Sequence, residues 1–553
     1  MLDEYVYDTY CERPKLGDLQ DGRTHIIQGC RGSGKSTLLR WITRPPKVDE
    51  IEKGGRPLTV GTYVPLGQRW VAGFQRRGWI SDGRRDVLFA FALNLLVADR
   101  FVAAVSRFCE YVGTVYGLNG VELEARAAAI LGSQFFCDIN GGGYFGVRDL
   151  RGRLSKAQQQ IHDACLRGAF GDDVQAPEGV LLSGFFDPIA AAVALIQSEL
   201  DQSLGRSLPV IWVFGLDELD NLSVRQQLHV NTAVRNVSFP LVFKLACLPH
   251  GHKTLETQAE NNPLVPGEDF EYVALYLDPK SESTARFCLD VYGKRVRAHP
   301  GAEIHQKPDA WLGGSSLRER AAEFLETDSN AHAFFARLQP SDMQVLLPFE
   351  EKKTDSDSAR QYVPSVAMRL LRTGSRGAAE PAVYGGWNDL VAASDGIPRR
   401  FLRLMDRVFV AAETDRFVDM RVQSTVIREA AEGAFNRLSS LPRCGKSVVR
   451  FVEFIGDMLE RRLHRADGVV RDSCSVSFDL SKYEGEELLV LQTSIAYGVL
   501  CPWEFDERDG FPQAYHQYWL SFGLAPKFWL ALRKGEAVPL AYQLPLGLGG
   551  SGE

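Results

Sequence analysis

Apolar residues along this chain fall into two spacings, and each assigns a kind of element. Short uninterrupted runs rich in β-branched residues predict buried strands at 24–28 (THIIQ), 56–66 (RPLTVGTYVPL), 210–214 (VIWVF) and 239–249 (FPLVFKLACLP). Apolar positions three and four apart predict helices among them. STLLRWITR offers Leu38, Leu39, Trp41 and Ile42, and VRQQLHVNTAVRNV lies between the third and fourth strands. Strands alternating with helices predict an α/β fold, a parallel sheet with helices on both faces. Helical spacing over 86–200, in DVLFAFALNLLVADRFVAAVSRFCEYV and EARAAAILGSQF, predicts a helical insertion between the second and third strands, broken by the glycine-rich loop NGGGYFG.

Beyond the fourth strand the pattern changes. Polar and charged runs such as EEKKTDSDSAR at 350–360 predict a variable surface connection over 300–376. Gly396 and Pro398 then open a helix with an apolar stripe of Phe401, Leu402, Leu404, Met405 and Val408. STVIREAAEGAFNRL and SVVRFVEFIGDMLERRLHRA predict two more helices. SVSFDL predicts a strand and GEELLVLQTSIAYGVLC a further helix, an order compatible with a winged-helix module. The tail GLGGSGE predicts disorder.

Two of the core strands end in chemistry. After the first, Gly29, Cys30, Arg31, Gly32, Ser33, Gly34, Lys35 and Ser36 match GxxxxGK[ST] at every fixed position, and Thr37 continues into the helix. A strand, a glycine loop and a helix N-terminus point backbone N–H groups at a phosphate. Lys35 is predicted to reach the β- and γ-phosphates of ATP, and the Ser36 hydroxyl to ligate Mg²⁺. After the third strand come Asp217, Glu218 and Asp220. Asp217 is assigned to water-mediated Mg²⁺ coordination, Glu218 to activation of the attacking water, and Asp220 to capping the next helix. Cys247 and His250 stand nearest the end of the fourth strand, where a polar contact to the γ-phosphate is expected, and neither matches well. A second GK-Ser run at 443–447 lacks the first glycine and a preceding strand, so it is assigned to a basic turn.

These stretches, GCRGSGKSTLLR, VFGLDELD and SDGIPRRFLRLMDR, resemble the AAA+/STAND branch of P-loop ATPases, in particular the bacterial origin-recognition-like members. The resemblance implies an α/β P-loop core with helical insertions, a helical lid and a C-terminal winged-helix-like module. It also implies that Arg399 or Arg400 opens the lid helix as the arginine facing the γ-phosphate. Ring-forming relatives insert an arginine from a neighbouring subunit, yet no arginine occurs between Arg235 and Arg286, with Arg235 the nearest candidate. That departure favours an ATP-gated switch over a ring motor. The context suggested by the resemblance is a defence or mobile-element system.

Composition adds little to the fold but constrains partners. The chain has 553 residues, 45% hydrophobic and 24% charged, with a formal net charge of −7, so no global charge attracts nucleic acid or an anionic membrane. The stretch 396–465 holds 14 Lys/Arg against 9 Asp/Glu, placing a basic bias on the lid and C-terminal helices. Double-stranded DNA is the partner expected there, with a protein partner as the other reading. Ten cysteines are scattered without a CxxC pair or zinc spacing, which predicts reduced thiols. No stretch reads as ~20 uncharged apolar residues, and the N-terminus reads as no leader, so no membrane partner and a cytoplasmic location are expected. Predicted boundaries are an ATPase core at 1–295, a connector at 296–376, a lid at 377–440 and a C-terminal domain at 441–553.

Overall fold

The run Val210–Asp217 (β3) is apolar up to its terminal carboxylate, and all eight residues are buried, as a strand covered on both faces requires. Around it lie His25–Gln28 (β1), Leu58–Pro65 (β2), Leu241–Cys247 (β4) and Glu271–Ala274 (β5). The computed structural model describes residues 10–12, 19, 21–44, 58–75, 82–137, 146–168, 180–182, 186–297, 308–315, 317, 319–320, 357–374, 382–412, 417–465, 473–503 and 517–540. The strand order is β2-β3-β4-β1-β5, and every pairing is parallel. Gln28 is in register with Cys247, and Pro65 with Asp217. The carboxyl ends of β1, β2, β3 and β4 therefore form one edge, where ligands of parallel sheets bind.

Contacts divide the chain into two compact units. The first comprises Met1–Tyr10, Lys15–Gly29 and Lys35–Ala274; the second comprises Cys11–Pro14, Cys30–Gly34 and Leu275–Glu553. In the first unit, Lys35–Ile42 (α1) follows the glycine loop and buries Leu38, Leu39 and Ile42. The insertion consists of helices Asp82–Tyr116 (α2), Gly120–Phe135 (α3), Val147–Gly168 (α4) and Asp187–Leu204 (α5). Its segment Arg85–Tyr116 is long and apolar enough, by length and composition, to cross a membrane, contrary to the sequence expectation. Two thirds (67%) of the apolar window is buried, and Phe101 and Phe108 pack edge-on against Trp212 of β3.

Val224–Asn236 (α6) joins β3 to β4 and carries a capping box in which Ser223 and Gln226 satisfy each other's backbone N–H groups. Ser223 is thus the helix cap assigned from sequence to Asp220. The Asp220 Oδ1 instead accepts from the Leu248 N–H at 2.9 Å, tying the acidic turn to the loop after β4.

The second unit holds Glu282–Arg297 (α7), Asp357–Gly374 (α8), Trp387–Ala393 (α9), Pro398–Ala411 (α10), Met420–Asn436 (α11), Gly445–Arg465 (α12) and Gly485–Ala496 (α13). Its sheet orders Leu500–Pro502 (β7), Gln517–Leu520 (β8), Ser475–Ser477 (β6) and Val538–Pro539 (β9), with β7-β8 and β8-β6 antiparallel and β6-β9 parallel. On α10, Phe401, Leu404, Met405 and Val408 are buried and Leu402 is half-buried, the stripe expected from spacing. Three readings differ. Residues 357–374 form a helix within the expected connector, burying Val366, Ala367, Met368, Leu370 and Leu371. The stretch 485–501 is a helix followed by β7 rather than one helix. The GK-Ser run at 443–447 opens α12, with Arg443 left-handed at φ 72°. Most of NGGGYFG, residues 350–356 and the GLGGSGE tail lie outside the described residues.

Candidate nucleotide site

The loop after β1 is shaped for an anion by its own backbone. Gly32 and Gly34 both take φ 93°, a left-handed conformation that side chains resist, and such turns point successive N–H groups inward. The Gly29 N–H donates to the Cys247 carbonyl at 3.3 Å, fixing where the loop leaves the sheet. Ser33 N–H closes the turn onto the Cys30 carbonyl at 3.1 Å, and Lys35 begins α1. The Lys35 ammonium donates to the Gly29 carbonyl at 2.6 Å, so the cation lies across the loop. Ser36 is exposed and Thr37 half-buried at the first turn of α1.

Asp217 ends β3 and is only 2% exposed, a carboxylate whose burial requires partners. It has them: Tyr63 O–H donates to Oδ2 at 2.8 Å, and the Glu218 N–H donates to Oδ1 at 2.9 Å. Burial, then the Asp217 charge, pushes the Tyr63 phenol well above its ordinary pKa, so it stays a donor. The Arg40 guanidinium of α1 lies 4.7 Å from the Tyr63 ring centroid, completing a chain from helix to acidic residue. Sequence reasoning missed Tyr63 because its role depends on β2 pairing with β3, where Tyr63 faces Gly215 two positions before Asp217.

Glu218 is exposed and left-handed at φ 63°, and its Oε2 accepts from the Asn221 amide at 3.2 Å. Asn221 also donates to the Leu66 carbonyl at 2.9 Å, a link to the loop after β2 that the sequence did not signal. Cys247 is completely buried. Burial and then Asp220 push its thiol up to about 12, with Lys35 opposing, which makes it a neutral packing group. His250, left-handed at φ 58°, is lowered to about 4 by burial, and its Nε2 makes no hydrogen bond among the described residues. Arg235 is engaged by Asp269 within its own unit.

The adjacent arginines of α10 differ sharply. The Cβ and Cδ of Arg399 lie 3.1 and 3.4 Å from where a Cβ on Gly32 would stand, and Arg399 is exposed. Arg400 turns into the second unit. Its guanidinium bonds Asp395 Oδ2 at 2.5 Å, Ser521 Oγ at 2.9 Å, and the Tyr497 and Gly498 carbonyls at 3.0 and 2.8 Å. Burial opposes the charge on Arg400, yet Asp395 together with Cys30 and Cys501 outweighs it and the pKa is raised.

Together the residues fit Mg·ATP: a backbone nest, a lysine laid across it, an exposed hydroxyl at the helix start and a buried, oriented carboxylate. Among the described residues no cluster of three or more His, Cys, Asp or Glu could hold a metal alone. A family model described as ORC-CDC6-like matches residues 1–540 of the chain. Comparison with curated proteins and with solved structures gave no match.

Proposed function

Because the chain belongs to the ORC-CDC6-like family of AAA+ ATPase type, we propose that it binds and slowly hydrolyses Mg·ATP and works as a nucleotide-gated switch. The observation that carries this reading is the common edge at which β1 delivers the glycine loop and β3 delivers buried Asp217. The loop N–H groups and Lys35 bind the phosphates. Ser36 and Asp217 would hold Mg²⁺, which supplies charge neutralisation at the β- and γ-phosphate oxygens. Glu218 orients the attacking water and takes its proton. Of the adjacent arginines, Arg399 meets the γ-phosphate while Arg400 anchors the lid.

The switch acts on double-stranded DNA in this reading, through the basic lid and the C-terminal module, which we read as winged-helix-like. Support comes from Arg403, Arg407 and Arg437, all exposed. Guanidinium nitrogens of Arg437 and Arg407 converge to 3.4 and 3.7 Å from the Cβ position of Gly433. Burial, then Arg403, Arg407 and Arg400, lower the pKa of Arg437, the signature of a cationic cluster that an anion would relieve. A second reading, a scaffold whose ATP-bound shape recruits a protein with little turnover, draws on the hold of Asn221 on Glu218.

Nucleotide binding and ATP turnover, measured with and without double-stranded DNA across salt concentrations, test these readings. Turnover stimulated by DNA and fading with salt is expected. Glu218→Gln should abolish an output that needs hydrolysis and sustain one that needs only the ATP-bound shape. The nucleotide reading falls if the wild type binds no ATP, or if Lys35→Ala binds it equally well.

A further inference from the structure

Five residues of the glycine loop, Cys30–Gly34, pack within the second unit, and what they meet there is one turn of chain. The Arg31 N–H donates to the Ala496 carbonyl at 3.2 Å, at the C-terminal end of α13. The Arg31 guanidinium lies 5.9 Å from the centroid of the Tyr497 ring. Cys30, 1% exposed, closes over Gly498: its Sγ and Cβ lie 3.3 and 3.4 Å from where a Cβ on Gly498 would stand. Arg400 binds the carbonyls of the same two residues, Tyr497 and Gly498, while Asp395 and Ser521 hold its guanidinium. Gly498 itself sits at φ 67°, and a Cβ there would also come within 2.9 Å of Arg400 Nη2.

We propose that the Tyr497–Gly498 turn, clamped by Arg400, is a positioning element of the nucleotide site that holds the loop tip in its phosphate-accepting shape. The physical argument is preorganisation. A nest of N–H groups binds an anion well only if its left-handed residues are already in place, because ordering them on binding subtracts from affinity. Within the loop tip Ser33 donates to Cys30, and outside it Arg31 donates to the carbonyl of Ala496, the residue directly before the turn. Arg400 and the turn thus act on the nucleotide through Cys30 and Arg31, whereas Lys35 and Arg399 act on it directly. The inference rests on the nucleotide-binding reading above.

The fold provides a matched control. Gly485 is also left-handed, at φ 56°, in the same unit, and a Cβ there would meet nothing within 4 Å. Gly485→Ala and Gly498→Ala impose the same kind of backbone strain, but only the second pushes on Cys30 and Arg400. Fluorescent ADP and ATP analogues should bind the Gly498→Ala protein roughly tenfold more weakly than the Gly485→Ala protein. Hydrogen exchange of peptides covering 29–34, measured without nucleotide, should rise in Gly498→Ala alone. Equal affinities in the two variants, or tighter binding by Gly498→Ala, overturns the proposal. If Gly498→Ala does not fold, exchange in the wild type decides: a protected Arg31 amide without nucleotide supports the turn, and an unprotected one overturns it. Absence of nucleotide binding by the wild type would instead refute the nucleotide reading itself.

Discussion

Arg399 and Arg400 are neighbours in sequence, and replacing each in turn should separate an effect on stability from an effect on turnover alone. Arg400→Ala deletes four hydrogen bonds and leaves Asp395, whose side chain is 1% exposed, without its cation. Breaking a buried ion pair from one side costs about 3–5 kcal/mol. The Arg400 side chain is 29% exposed, and Asp395 keeps the Phe522 N–H at 2.8 Å, which together reduce the expected loss to about 2–4 kcal/mol. At roughly 2–4 °C per kcal/mol for a unit of this size, the unit's melting temperature should fall by about 4–16 °C. Arg399→Ala removes an exposed side chain with no ion pair among the described residues, so stability should change by less than about 0.5 kcal/mol. Its effect should appear in turnover, as a fall of about 10²-fold or more for one lost charge-stabilising donor. Thermal unfolding and steady-state ATP hydrolysis on the same preparations provide both readouts. A stable, inactive Arg400→Ala protein beside a destabilised, active Arg399→Ala protein would refute the assignment.

Tyr63→Phe should raise the Mg²⁺ concentration needed for half-maximal turnover by about 10–100-fold, as loss of an orienting partner of a metal ligand does, measured by Mg²⁺ titration of ATP hydrolysis. Ser223→Ala should cost about 1 kcal/mol through α6, measured by urea denaturation, with Gln226→Ala giving a smaller loss. His229, His250 and His252 are lowered to about 4 by burial, so they are neutral in the fold and titrate near 6.5 when unfolded. Between those values the unfolded chain binds the extra protons. These histidines should therefore make stability fall below about pH 6.5, by up to about 1.4 kcal/mol per histidine per pH unit; a denaturation midpoint unchanged between pH 7 and pH 5 would contradict this.

Elements that bury themselves completely were legible in the sequence. β3 and β4 are covered on both faces, so they read as apolar runs, β4 interrupted only by the buried Lys244, and the amphipathic α10 displayed its stripe at helical spacing. β5 was not legible, because four residues with one fully buried position leave no pattern. Asp357–Gly374 was obscured by the polar run at its start and by Pro364 within it, although its later positions are buried. The glycine loop and the acidic pair stand out in the sequence because their residues are contiguous. Tyr63 and Asn221 could not, since each acts through a strand or loop remote in sequence. The choice between Arg399 and Arg400 also lay beyond the sequence. Consecutive helical residues point about 100° apart, and only the packing of α10 decides which enters the interior.

The partners of Asp217 determine how it can serve a metal. A carboxylate offers about four lone-pair sites, and here one on each oxygen is already taken, by Tyr63 and by the Glu218 N–H. The phenol that occupies Oδ2 cannot ionise at working pH, because burial and Asp217 itself hold its proton. The plane of Asp217 is thus set by β2 and the start of the acidic turn before any ion arrives. One site on each oxygen remains for a cation beside these donors, inside a nearly closed environment. Contact through water leaves both in place, and Mg²⁺ gives up its waters reluctantly. The hydrogen bond to Oδ1 also ties Asp217 to the backbone N–H of Glu218, the residue proposed above to activate water.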